Sequence, residues 1–443
     1  MKQHLKAFFT LALLLTGLVS FSNTPKIEFT EFTLDNGLHV ILHEDNTTPN
    51  VVVNIMYHVG SKNEHYERTG FAHFFEHLMF EGSENIDRHE FSEIVEKSGG
   101  TLNAYTSFDV TNYYILLPSN QLELGLWMES ERMLHPVIDS IGIATQKDVV
   151  TEEMKQTRDN RPYGRLLIES ISRAFSSHPY RWDVLGKDEH IRNATDEDIK
   201  DFHDMFYVPD NAVLVITGDI DKDETRSLVE KYFGDIPRGN GDFRRPAIDA
   251  EPPKTAEVRD TVYDEIQIPA VVMAYRIPAQ GTRDYYAVEM LGTLMSQGQS
   301  SRLYRRLVDQ EEKALQVISF PLGLEHPGIN LTFALSNMGV DPAEIEAIIN
   351  EEFDKVRNEL ISEEEMQKLK NQAENSFVNS NTTIASRANN LANYYTIFGE
   401  ADLINTEIEK YMQVTREDIM RVANEYFKEN NRVVLYWLPK AES

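Results

Sequence analysis

The sequence predicts two similar units of mixed helix and strand in tandem, and three observations carry that prediction. The chain has 443 residues, more than one ordinary domain of roughly 100–200 residues holds. A pattern recurs in it. Thr195-Asp196-Glu197-Asp198-Ile199 leads to Phe206-Tyr207, Asn211 and Val213-Leu214-Val215, and Thr415-Arg416-Glu417-Asp418-Ile419 leads to Tyr426-Phe427, Asn431 and Val433-Val434-Leu435, always 220 residues further on. Each copy opens with Thr and, three residues later, Asp, in the manner of a helix capping box, and closes with a short apolar strand. Between the copies lie Pro237-Arg238-Gly239-Asn240-Gly241 and then Pro246, Pro252 and Pro253, a linker composition. The expected division is a signal peptide at 1–22, an N-terminal unit at 23–236, a linker at 237–256 and a C-terminal unit at 257–443.

The signal peptide rests on Lys2 and Lys6, an apolar run from Ala7 to about Val19, and the small-x-small pattern of Ser20, Phe21 and Ser22. The run is short for a bilayer span of about 20 residues. No cysteine follows it for a lipid anchor, and no later stretch is apolar enough to span a membrane. An exported protein, periplasmic or secreted from a bacterium, is the expectation.

In the first unit, Leu38 to His43 and Val51 to Val59 read as strands, and Gly70 to Gly82 as a helix. Asp87 to Ser98 reads as a second helix, stopped by Gly99-Gly100. Leu102 to Phe108 and Asn112 to Leu117 alternate as adjacent antiparallel strands do. A long helical stretch runs from about Ile143 to Ser176, interrupted near Pro162-Tyr163-Gly164.

Composition narrows the function. Hydrophobic residues at 41% supply buried cores. There is no cysteine, so thiolate nucleophiles, disulfides and Cys-based zinc sites are excluded. The formal charge is −29, and loss of Lys2 and Lys6 takes it to −31. Nucleic acid and anionic membrane are therefore poor partners.

One helix carries the chemistry. Gly70-Phe71-Ala72-His73-Phe74-Phe75-Glu76-His77-Leu78-Met79-Phe80 is apolar nearly all round, yet holds three ionisable residues on one face. Burying two imidazoles and a carboxylate without partners is costly. A metal ion satisfies them, since two histidines one turn apart both reach one zinc, here in the inverted order H-x-x-E-H. The competing reading is a polar cluster in a packed interior. A catalytic zinc has three protein ligands, so the third comes from elsewhere. In Gln146-Lys147-Asp148-Val149-Val150-Thr151-Glu152-Glu153-Met154, Glu153 shares a stripe with Val149, Val150 and Met154 and points inward. Glu152 shares a solvated face with Asp148, Lys155 and Gln156. His73, His77 and Glu153 are thus the expected zinc ligands, one ion per chain, and Glu76 the expected general base. Two histidines and a carboxylate also suit non-heme iron, but Glu76 beside a ligand is unneeded there.

H-x-x-E-H followed about 75 residues later by an inward Glu resembles the pitrilysin/insulinase family of zinc peptidases, the inverzincins. Gly60-Ser61-x-x-Glu64, Asn103-Ala104-x-Thr106-x-x-Asp109-x-Thr111-x-Tyr113 and His178-Pro179-Tyr180 extend the match. It is dense in the first half, looser in the second, and its length is similar to that of mitochondrial processing peptidase subunits and their bacterial relatives. The resemblance implies an α+β fold of two homologous halves, each a mostly antiparallel sheet covered by helices, together forming half of a clamshell chamber. It implies hydrolysis of short or unfolded peptides, with Asn103 and Ala104 on a sheet edge that pairs with substrate backbone. Two departures matter. Gln146 stands where the family often has a supporting Glu near the metal ligands. Val308 and Leu315 stand where the later unit often has an Arg and a Tyr that hold substrate. The region Glu289 to Gly298, matching the zinc helix, lacks both histidines. The expected protein is a zinc endopeptidase whose second half is inactive. Its expected partner is a homologous non-catalytic subunit bearing the Arg/Tyr clamp, or a second copy. The alternative is a non-catalytic peptide-binding or assembly subunit of the same fold.

Overall fold

The structure is a computed structural model and describes residues 26–239, 248 and 250–440. The expected signal peptide at 1–22 and the middle of the expected linker, 240–247 and 249, lie outside the described residues.

Two sheets organise the chain. The first holds β1 (Thr30–Thr33), β2 (His39–Glu44), β3 (Asn50–Tyr57), β4 (Thr101–Thr106), β5 (Thr111–Pro118) and β6 (Ala212–Gly218), in the order β1-β2-β6-β3-β5-β4. The second holds β7 (Val258–Asp264), β8 (Ala270–Arg276), β9 (Ala314–Leu322), β10 (Ile329–Ser336) and β11 (Arg432–Pro439), in the order β7-β11-β8-β10-β9. With β1 set aside the two orders are the same. Each sheet has one parallel pair, β2 with β6 and β7 with β11, and is otherwise antiparallel. The duplication legible only at the ends of the two units therefore extends through both sheets. Thr195 and Thr415 both form the expected capping boxes, with Asp198 and Asp418.

The strands have two buried faces. In β3, Val51, Val53 and Ile55 join one apolar cluster and Val52 and Met56 another, because successive side chains point to opposite sides. The first cluster lies under the helices of the first half. The second is covered by helix Ile384–Phe398 of the second half, through Ala388, Leu391 and Ala392. The converse also holds. Helix Leu166–Ala174 of the first half lies on the second sheet, with Ile171 and Ala174 against Val272, Ala274 and Leu435. The two helices begin 218 residues apart, close to the offset of the repeat, and each covers the sheet of the other half, so the halves have exchanged equivalent helices.

The break at Pro162-Tyr163-Gly164 makes the exchange possible. The long helical stretch splits into Ser140–Met154, a wider π-turn Lys155–Asp159, and Leu166–Ala174. Tyr163 takes a left-handed backbone (φ +58°) and its hydroxyl donates to Ile268 O across the joint. Leu391 is fully buried in this shared layer. Leu391→Ala should cost about 2–5 kcal/mol, read as a lowered midpoint in urea unfolding followed by circular dichroism. A midpoint shift within error would show that the helix is not needed by the first sheet.

A polar seam joins the halves. Buried Lys62 pairs with Asp109 at 2.9 Å and with Glu325. Tyr180 donates to Asp109 at 2.6 Å, Glu325 N donates to Asp109 Oδ2 at 3.0 Å, and His58 sits 2.8 Å from Glu325. Asp109 and Tyr180, read from the sequence as parts of a peptidase signature, thus serve the joint. Burial would raise the pKa of Glu325, but the His58 hydrogen bond and the Lys62 charge win and hold it down at about 2. A carboxylate depressed on folding stabilises above its unfolded pKa, about 4.3, and loses that contribution as pH falls towards 2. Glu325→Gln should therefore flatten stability against pH between about 4.5 and 2, which thermal melts across that window would show. An unchanged slope would remove Glu325 from the acid response.

Candidate active site

The short helix Phe71–Leu78 starts at Gly70, whose φ of +91° and crowded surroundings both require glycine; a Cβ there would sit 2.6 Å from Leu185 O. Glycine offers no capping side chain. Buried Glu64 supplies the cap from outside, accepting from Gly70 N and Ala72 N at 2.8 Å each. An acidic group at a helix N-terminus also suits the helix dipole. The Glu of the Gly60-Ser61-x-x-Glu64 motif thus fixes where the helix begins.

Phe71, Phe74, Phe75 and Leu78 are buried in the first core, which leaves His73, Glu76 and His77 on the remaining face. Helix Ser140–Met154 runs against it. Glu153 Oε2 lies 3.2 Å from His77 Nε2 and 3.7 Å from His73 Nε2. One ligand atom from each of the three residues lies within 4.8 Å of the others, and among the described residues no other group of this kind occurs. The donor set fits a zinc ion, because tetrahedral bonds of about 2.0–2.1 Å to His nitrogen place neighbouring ligand atoms about 3.3 Å apart. Protonation states agree. Burial and the like charge of His77 push His73 down to about 4, leaving a neutral imidazole. The hydrogen bond from His77 outweighs burial and holds Glu153 below the usual carboxylate range.

Glu152 points away, its carboxylate 3.3 Å from Lys155 Nζ and 3.3 Å from Gln156 Nε2. One step of the sequence argument fails. Val149, placed on the inward stripe with Glu153, is 43% exposed, whereas Val150 and Met154 are buried. The buried stripe of this helix therefore runs through Val150 and Met154, and Val149 lies off it.

Glu76 accepts a 2.6 Å hydrogen bond at Oε2 from Thr106 Oγ1. Burial raises the Glu76 pKa against the opposing pull of Thr106 and His77. Gln146 donates to Glu81, which is buried and paired with Arg88 at 2.7 Å. The Gln146 amide thus bonds Glu81, four residues beyond His77, and none of the three ligand residues. Asn103 and Ala104 lie on β4, an edge strand of the first sheet, which among the described residues pairs with β5 alone. Asn103 is exposed, and its Oδ1 accepts from Ala104 N at 2.9 Å. Sequence reasoning missed the roles of Glu64, Thr106 and Glu81; for the first two, their places in the quoted motifs were the available signal.

In the second half, helix Arg283–Ser296 takes the place of the histidine-bearing helix and begins earlier than expected. Its Glu289 is held by Tyr411 Oη at 2.5 Å. Val308 is half-buried against the second core, and Leu315 is 51% exposed at the start of the edge strand β9.

Comparison with known proteins decides the family. The model described as "Insulinase (Peptidase family M16)" matches residues 39–185, and the one described as "Peptidase M16 inactive domain" matches 193–373. A Helicobacter pylori protein named "Zinc protease PqqE" is 31% identical, over 94% of each chain. The chain belongs to the insulinase family of peptidases. The second match starts at residue 193 and so takes in β6, which belongs to the first sheet. A crystal structure of a protease from Helicobacter pylori superimposes with a TM-score of 0.88 at 29% identity, covering 93% of this chain and all of that one. Pitrilysin superimposes at 0.76 and 17% identity, over 94% of this chain but 46% of its own. The insulinase-family fold here is thus one half of the longer clamshell, as the resemblance implied. Among the described residues no helix is long and apolar enough to cross a membrane.

Proposed function

We propose that this protein is a zinc-dependent endopeptidase acting on short or unfolded peptides, and that it is the catalytic subunit of a two-subunit peptidase. The observation that carries the reading is the convergence of His73, His77 and Glu153 beside Glu76, on two helices packed face to face. These three residues would hold the zinc, with residues 23–236 as the catalytic unit and 257–443 as its inactive counterpart. When bound, zinc supplies Lewis-acid polarisation of the peptide carbonyl and a lowered pKa for the attacking water.

The protein's own residues do the rest. Glu76, adjacent in sequence to His77, takes the water's proton and returns it to the leaving amine. Its burial-raised pKa suits it to hold that proton in between. The free edge of β4 takes the peptide as an added strand, which suits any extended backbone and rejects folded domains. Asn103 and Ala104 sit where that pairing occurs. Export to the periplasm or medium is part of the proposal, supported by the Lys2/Lys6 start and the apolar run after it.

The two-subunit reading rests on the second half. Neither Val308 nor Leu315 can donate a hydrogen bond to a peptide carbonyl, and nearby Arg302 is committed to Glu365 through two contacts of 2.9 Å. A chain with the ligand set but no clamp needs one from a partner. The lone chain should cleave an unfolded casein fragment slowly. A homologue without H-x-x-E-H but with the Arg/Tyr pair should raise the rate at least tenfold, since positioning contributes several kcal/mol. Full activity of the lone chain, unchanged by such a partner, would defeat the two-subunit reading. No cleavage by either arrangement would favour the alternative of a non-catalytic assembly subunit.

A further inference from the structure

Resting on the peptidase reading, the geometry points to Thr106 as the positioning residue that aims Glu76 and ties it to the strand that receives the substrate. Thr106 is the last residue of β4, and its side chain lies on the same side as that of Ala104, two residues earlier. Its Oγ1 donates to Glu76 Oε2 at 2.6 Å. The direction of this bond follows from its partners, since the carboxylate oxygen accepts and the threonine hydroxyl carries the one proton to give. Thr111 Oγ1 donates to Val59 O at 2.9 Å and lies 3.5 Å from Thr106 Oγ1. Among the described residues this is the hydrogen bond that holds the Glu76 carboxylate; the buried Tyr113 and Tyr207 hydroxyls and the charges of His77 and Glu153 act on it electrostatically.

The consequence is a mechanical link. Peptide added to β4 pairs at the outer edge, while the base hangs from the inner face of that same strand. The base therefore keeps its place relative to the bound backbone, and the register of strand addition sets which carbonyl it serves. The Thr106 hydroxyl is given to Glu76 and not to strand pairing, so its loss should spare binding and impair turnover.

The test is a set of variants in the zinc-loaded protein, assayed with an unfolded peptide together with whatever partner full activity requires. Thr106→Val keeps the β-branched shape and removes only the hydroxyl. It should lower kcat by roughly 10–100-fold, the loss that a misplacement of about 1 Å produces. KM, zinc content and the Kd of a non-cleavable peptide measured by fluorescence anisotropy should stay at wild-type values. Thr106→Ser should restore most of kcat. In a Glu76→Gln background Thr106→Val should add nothing further. A wild-type kcat in Thr106→Val would overturn the inference. So would equal losses in Thr106→Val and Thr106→Ser, or a loss that tracks zinc content or peptide affinity. If wild-type protein with zinc and partner cleaves nothing, the peptidase reading itself has failed and the inference fails with it, a result separable from active wild type with an indifferent Thr106.

Discussion

Glu76→Gln should abolish most peptide hydrolysis, by a factor on the order of 10²–10⁴, and leave both zinc and fold in place. Gln is nearly isosteric and can still accept from Thr106 through its carbonyl oxygen, so the 2.6 Å contact that orients the side chain survives. It cannot take a proton. Nothing else in the site can replace it: Glu153 is engaged with His77 at 3.2 Å, and a carboxylate in the ligand set is not free to act as base. The effect should fall on kcat, because strand addition at β4 does not involve Glu76. The measurement is steady-state cleavage of a fluorogenic unfolded peptide alongside metal analysis. Wild-type turnover in the variant would take Glu76 out of the mechanism.

The second large effect concerns the metal. Purified protein should hold about one zinc per chain. His73→Ala, His77→Ala and Glu153→Gln should each lose most of it, whereas Glu152→Gln should keep it. The contrast between two adjacent glutamates is the informative part. Both are helix carboxylates, but Glu153 faces two imidazoles and Glu152 faces Lys155 and Gln156. Full zinc in Glu153→Gln, read by atomic absorption after dialysis, would show that the third ligand is another group.

How much of this was legible depends on the physics of each element. The strands and the histidine-bearing helix could be read because periodicity and flanking glycines report burial directly. The ligand helix was legible through its neighbours, although Val149 misled: a helix stripe is set by the packing angle of two helices, which sequence does not contain. The duplication was visible only over its last helix and strand. There a capping box and a strand leave few alternatives, whereas core positions in β7 to β10 accept many apolar residues. The exchange of Leu166–Ala174 for Ile384–Phe398 was not legible at all. Ile171 and Leu391 are ordinary buried apolar residues, and nothing in such a side chain says which sheet it covers. Glu64, Thr106 and Asp109 stood out as motif members, but their partners are 6, 30 and 216 residues away at Gly70, Glu76 and Glu325. Only the fold brings those groups together.

The central claim is that His73, His77 and Glu153 hold a zinc ion beside Glu76. Crystals of the zinc-loaded protein, measured on both sides of the zinc absorption edge, test it most directly. The account predicts one anomalous peak per chain that vanishes below the edge, about 2.0–2.2 Å from a nitrogen of each histidine and an oxygen of Glu153. A peak elsewhere, or none at this site in protein shown to contain zinc, would contradict it.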